Sequence, residues 1–231
     1  MRKRVWLAGM VGGIALMMGV GSVGAQTETK TSEWRELFAE NLRDAEYPPG
    51  LWWWENGELT AKEDQMIWTR RDYDNFDLEL EFKTADGTNS GVVIFVSDTK
   101  DWIPNSVEIQ IADDFSGQWS QAPKTWQCGA LFGRLAATES RVKRPGEWNR
   151  MKIMARGRHV RVMLNGAEVV NADLGRWISA TTNPDGSPIP EWLHKPMATL
   201  PTKGRIGLQG KHAGAPVWFR NLRVREVSGH E

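Results

Sequence analysis

Between Asn105 and Asp114 the chain reads Asn-Ser-Val-Glu-Ile-Gln-Ile-Ala-Asp-Asp, and Glu108 and Gln110 have the types and spacing to do chemistry together. Side chains two apart on a strand share a face. Val107, Ile109 and Ile111 then point toward a core, while Glu108, Gln110 and Ala112 point the other way. A carboxylate and an amide set side by side on a strand have their directions fixed by sheet packing before any ligand arrives. Any half-solvated antiparallel strand alternates in the same way, so Glu108 reads either as a site carboxylate or as one that simply faces water.

The surrounding elements must position that face. Phe76, Leu78, Leu80 and Phe82 alternate with Asp77, Glu79, Glu81 and Lys83, which predicts a long half-exposed strand. Val92 to Val96 is almost continuously apolar and predicts a strand covered on both faces. Asn56-Gly57 and Asn165-Gly166 each sit between strand-like runs and predict tight hairpins. Gly129 to Gly133 reads as a short strand of small and apolar residues that permits close approach. Met66 to Thr69, Trp148 to Ala155, His159 to Leu164, Arg205 to Gln209 and Val217 to Val227 read as further strands. Residues 176–204 hold five of the eleven prolines and little periodicity, which predicts a long surface insertion able to act as a lid. Short strands, frequent turn signals and no amphipathic helix predict an all-β chain, an antiparallel β-sandwich or barrel.

Residues 1–25 read as a signal peptide: basic Arg2-Lys3-Arg4, an apolar run from Val5 to Val20, and small residues up to Ala25. An uncleaved anchor is the rival reading, since the apolar run approaches the roughly 20 residues of a bilayer span. Cleavage after Ala25 predicts an exported chain, periplasmic or secreted, with no stable membrane insertion and a single domain over residues 26–231. Without Arg2, Lys3 and Arg4 there remain 26 Lys and Arg against 29 Asp and Glu, a net charge of −3, which gives no footprint for nucleic acid. Cys128 is the only cysteine, so no intrachain disulfide can form. Thirteen Trp is a heavy load, and their rings serve either a core or a sugar-binding surface.

A family likeness runs through nearly the whole mature chain. Glu58-Leu59-Thr60, Asp77 to Phe82, Asn89-Ser90-Gly91-Val92, Val107 to Ile111, Gly129 to Gly133, Pro145 to Asn149, Leu164-Asn165-Gly166, Gly204 to Gln209 and Phe219-Arg220-Asn221 together resemble the 3-keto-disaccharide hydrolase family. The resemblance implies a concanavalin-like jelly roll, similar in shape to β-glucanases that alternate acidic residues along one concave strand. Ala112 at the third alternating position departs from that glucanase pattern, because a retaining site needs two carboxylates about 5 Å apart.

What the family implies instead is cleavage of glycosides already oxidised to a ketone at C3. The ketone acidifies the C2 hydrogen, a base removes it, the C1 aglycone is eliminated, and water adds to the enone. Such a site needs a base, a group that stabilises the enolate oxygen and an acid for the leaving group. On this resemblance Glu108 is the expected base or the ligand of a divalent cation. His212, in a flexible Gln209 to Gly214 segment, is expected as base, acid or metal ligand, and otherwise makes a structural hydrogen bond. Lys211 would stabilise the enolate, Gln110 would orient a hydroxyl, and Arg134 would clamp a sugar or pair with an acid. Trp119 and Trp126 would stack on a pyranose ring or anchor their loop. Any metal would have Glu108, Asp113 and His212 as candidate ligands, although Asp113 and Asp114 also suit a turn. His194 reaches a cleft only if the 176–204 insertion folds over. The alternative of another class is a non-catalytic, lectin-like carbohydrate-binding module.

Overall fold

The computed structural model describes Met1 and residues 32–228. The expected signal segment with its cleavage point, and the tail with His230, lie outside the described residues. Strands form where apolar and polar residues alternate and stop at turn residues. In chain order they are β1 (Arg35–Glu36), β2 (Ala45–Glu46), β3 (Trp52–Glu55), β4 (Glu58–Ala61), β5 (Met66–Thr69), β6 (Phe76–Thr84) and β7 (Asn89–Val96). They continue as β8 (Val107–Ala112), β9 (Trp148–Arg156), β10 (His159–Leu164), β11 (Ala167–Asp173), β12 (Arg205–Gln209) and β13 (Val217–Glu226). Among the described residues no helix is long and apolar enough to cross a membrane.

Two antiparallel sheets result. The larger runs β11-β10-β9-β6-β13-β4-β3, with β1 added on β13, and the smaller runs β2-β5-β12-β7-β8. Phe76, Leu78, Leu80 and Phe82 of β6 meet Val92 and Ile94 of β7 and Val107, Ile109 and Ile111 of β8 in one buried cluster. Phe76 and Phe95 pack edge to face at 6.1 Å across it. Each such side chain contributes about 1.5–3 kcal/mol by leaving water, so the core holds the fold without a disulfide. This is the expected antiparallel β-sandwich of jelly-roll type. Both Asn-Gly hairpins form, with positive φ at Asn56, Gly57, Asn165 and Gly166 as a primed turn requires.

Two strand expectations need correction. The polar face of β6 is not half-exposed: Asp77 and Glu79 are buried. Asp77 accepts from Arg156 at 2.7 Å and Arg225 at 2.6 Å, and Glu79 accepts from Arg223 at 2.6 Å. Arg223 and Arg225 in turn lie over the Trp34 ring. Burial opposes the charge on Asp77, but Arg156 and Arg225 outweigh it and hold the carboxyl below its ordinary range. Alternation alone cannot see arginines arriving from neighbouring strands.

Residues 129–133 are not a regular strand either. They turn, touching β8 through an Ile109–Leu131 bridge and through hydrogen bonds from Gln110 N to Ala130 O and from Phe132 N to Glu108 O. The segment thereby covers the free edge of β8.

Candidate functional site

The site is built on the face of the smaller sheet that points away from the core. The β7–β8 register sets Glu108 opposite Val93, Gln110 opposite Gly91 and Ala112 opposite Asn89. Gly91 is what makes room for the carboxylate, since a Cβ there would stand 2.2 Å from Glu108 Oε1. Gly207 on β12 does the same for Trp68, whose ring atoms Cε3 and Cζ3 would lie 2.2 Å from an added Cβ. Glycine at both positions serves close approach of a side chain, not a turn.

Above this face lies a cavity of about 270 Å³. Its polar lining is Glu108, Gln110, Asn89, Gln209 and His212, and its apolar walls are Trp102, Ile103, Trp119, Trp126, Phe132 and Trp192. At about 30 Å³ per liquid water, that volume suits one pyranosyl ring and not a long oligosaccharide. Trp126 packs on Phe132 at 5.5 Å and on Trp192 at 6.0 Å, so the 115–127 loop and the 176–204 insertion meet in one aromatic wall.

Glu108 is half-buried at the cavity floor, and among the described residues no group hydrogen-bonds its carboxylate. Burial first, and the negative charge of Asp64 second, push it up to about 8. Gln110 and Asn89 are coupled, the Gln110 amide donating to Asn89 Oδ1 at 2.9 Å. His212 sits at the mouth, its Nδ1 2.6 Å from Asp64 Oδ2. Asp64 belongs to the β4–β5 loop, which holds the His212 segment through Gly210 N to Gln65 O and Lys211 N to Glu63 O. A ring whose Nδ1–H is given to a carboxylate presents Nε2 in a fixed direction.

The sequence-based candidates divide. Glu108, Gln110, His212, Trp119 and Trp126 share the cavity. Lys211, Arg134, Asp113 and His194 do not line it. Arg134 is buried and gives its guanidinium to Leu193 O at 2.6 Å and Lys195 O at 2.8 Å, so it fastens the insertion to the sandwich.

Asp113 accepts from Gly87 N and Phe115 N, as a turn residue does, and Asp114 accepts from Cys128 N. Among the described residues no three His, Cys, Asp or Glu side chains converge to hold a metal, so the set Glu108, Asp113 and His212 is not assembled. Trp119 also anchors its loop, through Nε1 to Gly87 O at 2.9 Å. The insertion does fold over, but it brings Trp192 to the cavity and not His194.

Asp64, Asn89, Gln209, Trp102, Ile103, Phe132 and Trp192 are the lining and supporting residues that sequence reasoning did not single out. Asn89 was within reach of it: two-residue periodicity along Asn89, Gly91 and Val93 places all three on the face of Glu108 once β7 and β8 are paired.

Known proteins bear on this geometry. Over 174 residues the chain is 29% identical to the 3-keto-disaccharide hydrolase of Bacteroides thetaiotaomicron, covering 66% of this chain. The chain spans only 59% of that relative's length. A crystal structure of a candidate glycosyl hydrolase from Parabacteroides distasonis ATCC 8503 is 53% identical, with a TM-score of 0.83 over 84% of this chain and 100% of that one. A Bacillus subtilis protein with a galectin-like fold matches 86% of this chain and 98% of its own, at 13% identity and a TM-score of 0.52, which is a likeness of fold alone. Residues 26–225 match the family model described as the 3-keto-alpha-glucoside-1,2-lyase-like domain, and the chain belongs to that family.

Proposed function

We propose that this chain is an exported enzyme that cleaves 3-keto-glycosides, 3-keto-disaccharides among them, by elimination followed by hydration. The observation that carries the reading is Glu108: a carboxylate on a rigid strand, unpartnered at the floor of a sugar-sized cavity and raised to about 8. A base of that strength serves proton removal near neutral pH better than an ordinary carboxylate.

In this reading Glu108 takes the C2 proton, and the electron pair moves onto the C3 oxygen as an enolate. Amide N–H groups of Asn89 and Gln209, which have no hydrogen-bond partner among the described residues, meet that oxygen. The enolate collapses to a C1–C2 double bond as the C1–O bond breaks. His212, oriented by Asp64, hands its proton to the departing oxygen. Water then adds at C1 and a proton returns to C2, for net hydrolysis. Trp126 and Trp192 shelter the ring.

The purified mature chain, incubated with a C3-oxidised glucoside and with its unoxidised parent, is expected to release the aglycone from the keto compound alone. His212→Ala and Asp64→Asn should each lower kcat by about 10²-fold, the scale of one positioned acid. Saturable binding of both compounds without release would instead assign a lectin-like role to the aromatic cavity. Export is checked by the mass of the chain recovered outside the cytoplasm, expected to begin at Gln26.

A further inference from the structure

We propose that a second cavity on the same sheet face, bordered by Tyr47, Gln65, Met66, Trp68, Lys100 and Trp102, is the subsite for the sugar ring attached at C1 of the keto-sugar. The inference rests on the elimination reading and extends it from the bond that breaks to the group that leaves. This cavity measures about 410 Å³. It adjoins the first, because Trp102 lines both.

The direction of departure follows from the acid. A leaving-group acid must stand beside the C1 oxygen, so the departing ring lies on the His212 side. His212 is held by Asp64, and the next residue, Gln65, is already part of the second cavity. The turn carrying Trp102 thus borders both cavities, and the loop at 63–65 lines the second with Gln65 while Asp64 holds the His212 of the first. Trp126 and Trp192, packed edge to face at 6.0 Å, form part of the apolar wall of the first cavity.

The lining has the chemistry that recognises a sugar ring. Half-buried Trp102 stands edge to face on buried Trp68 at 6.0 Å, and Trp68 packs close to Gly207, so Trp102 is a firmly backed apolar surface for ring C–H groups. Gln65 and Lys100 are exposed at the margin and supply donors for hydroxyls.

The test compares two substrates: a glucosyl-glucose disaccharide oxidised at C3 of its non-reducing ring, and methyl 3-keto-glucoside, which has nothing to place in the second cavity. Gln65→Ala/Lys100→Ala should raise KM for the disaccharide about tenfold and leave kcat/KM for the methyl glycoside within about twofold. Gln65→Trp, which fills the cavity from an exposed position, should give the same split. An unchanged disaccharide KM in both variants overturns the subsite, as does an equal loss on both substrates. Failure of the unmodified protein to cleave either compound would refute the elimination reading itself, and the subsite with it.

Discussion

Replacing Glu108 by glutamine should stabilise the protein while abolishing turnover, and the two effects have one cause. The carboxyl goes from an ordinary 4.5 in the unfolded chain to about 8 in the folded one. A raised carboxyl favours folding fully only below pH 4.5, and that contribution is lost as pH rises through 8. At pH 7 the folded chain must hold a proton that the unfolded chain has released, across about 2.5 pH units, at about 1.4 kcal/mol each. That gives roughly 3.5 kcal/mol as an upper bound, since water entering the open cavity relieves part of it. Glutamine carries no such penalty at any pH. Urea unfolding of both proteins at pH 4 and pH 7 measures the difference directly. The stability of Glu108→Gln relative to the parent should rise by up to about 3.5 kcal/mol between those two pH values. A stability difference that does not change with pH would refute the claim that Glu108 is desolvated, and with it the assignment of a strong base.

Other substitutions probe how the site is held. Gly91→Ala should leave the chain folded but push the Glu108 carboxylate aside, because the new Cβ would stand 2.2 Å from Oε1; kcat is expected to drop about 10²-fold, the cost of a displacement near 1 Å. Arg134→Ala removes two donors to Leu193 O and Lys195 O, so thermal unfolding should show a loss of about 2–3 kcal/mol and KM should rise as Trp192 loosens. Arg225→Met leaves Asp77 with Arg156 at 2.7 Å and should cost about 2 kcal/mol above pH 4. That cost should shrink as acid protonates Asp77, whose stabilising charge is lost as pH falls through its lowered range.

What sequence reasoning could reach was set by the range of each signal. Periodicity and Asn-Gly turns are local, so β9 and β10 were legible to within a residue, as were the Asn165-Gly166 hairpin and the two faces of β8. Glu108 and Gln110 followed from that face. Contacts between distant segments were not legible. Asp64 and His212 are 148 residues apart and meet only because the 63–65 loop hydrogen-bonds the 210–211 turn. Trp192 reaches the cavity because buried Arg134 draws its segment down, which no pattern in 176–204 announces. Asp113 looked like a ligand because its type permits it; two backbone amides had already taken both of its oxygens.

The raised carboxyl also separates elimination from ordinary glycoside hydrolysis, because the two chemistries need Glu108 in opposite states. Direct hydrolysis of an unoxidised bond would use it protonated, as the acid, with a second carboxylate across the bond. The outer face of β8 offers Glu108, Gln110 and Ala112, and the nearby Asp64 is paired with His212 at 2.6 Å. Elimination uses Glu108 ionised, as the base. With its carboxyl near 8, kcat/KM for a 3-keto-glycoside of p-nitrophenol, an aglycone that departs as its anion without a proton from His212, should climb about tenfold per pH unit below 8 and level off above it. An acid role would give the mirror image, a plateau that falls away above pH 8. In Glu108→Gln the limb near 8 should vanish with the activity. A profile that falls through 8 would reverse the role of Glu108, and the proton removed from C2 would then have to be taken by the His212–Asp64 pair.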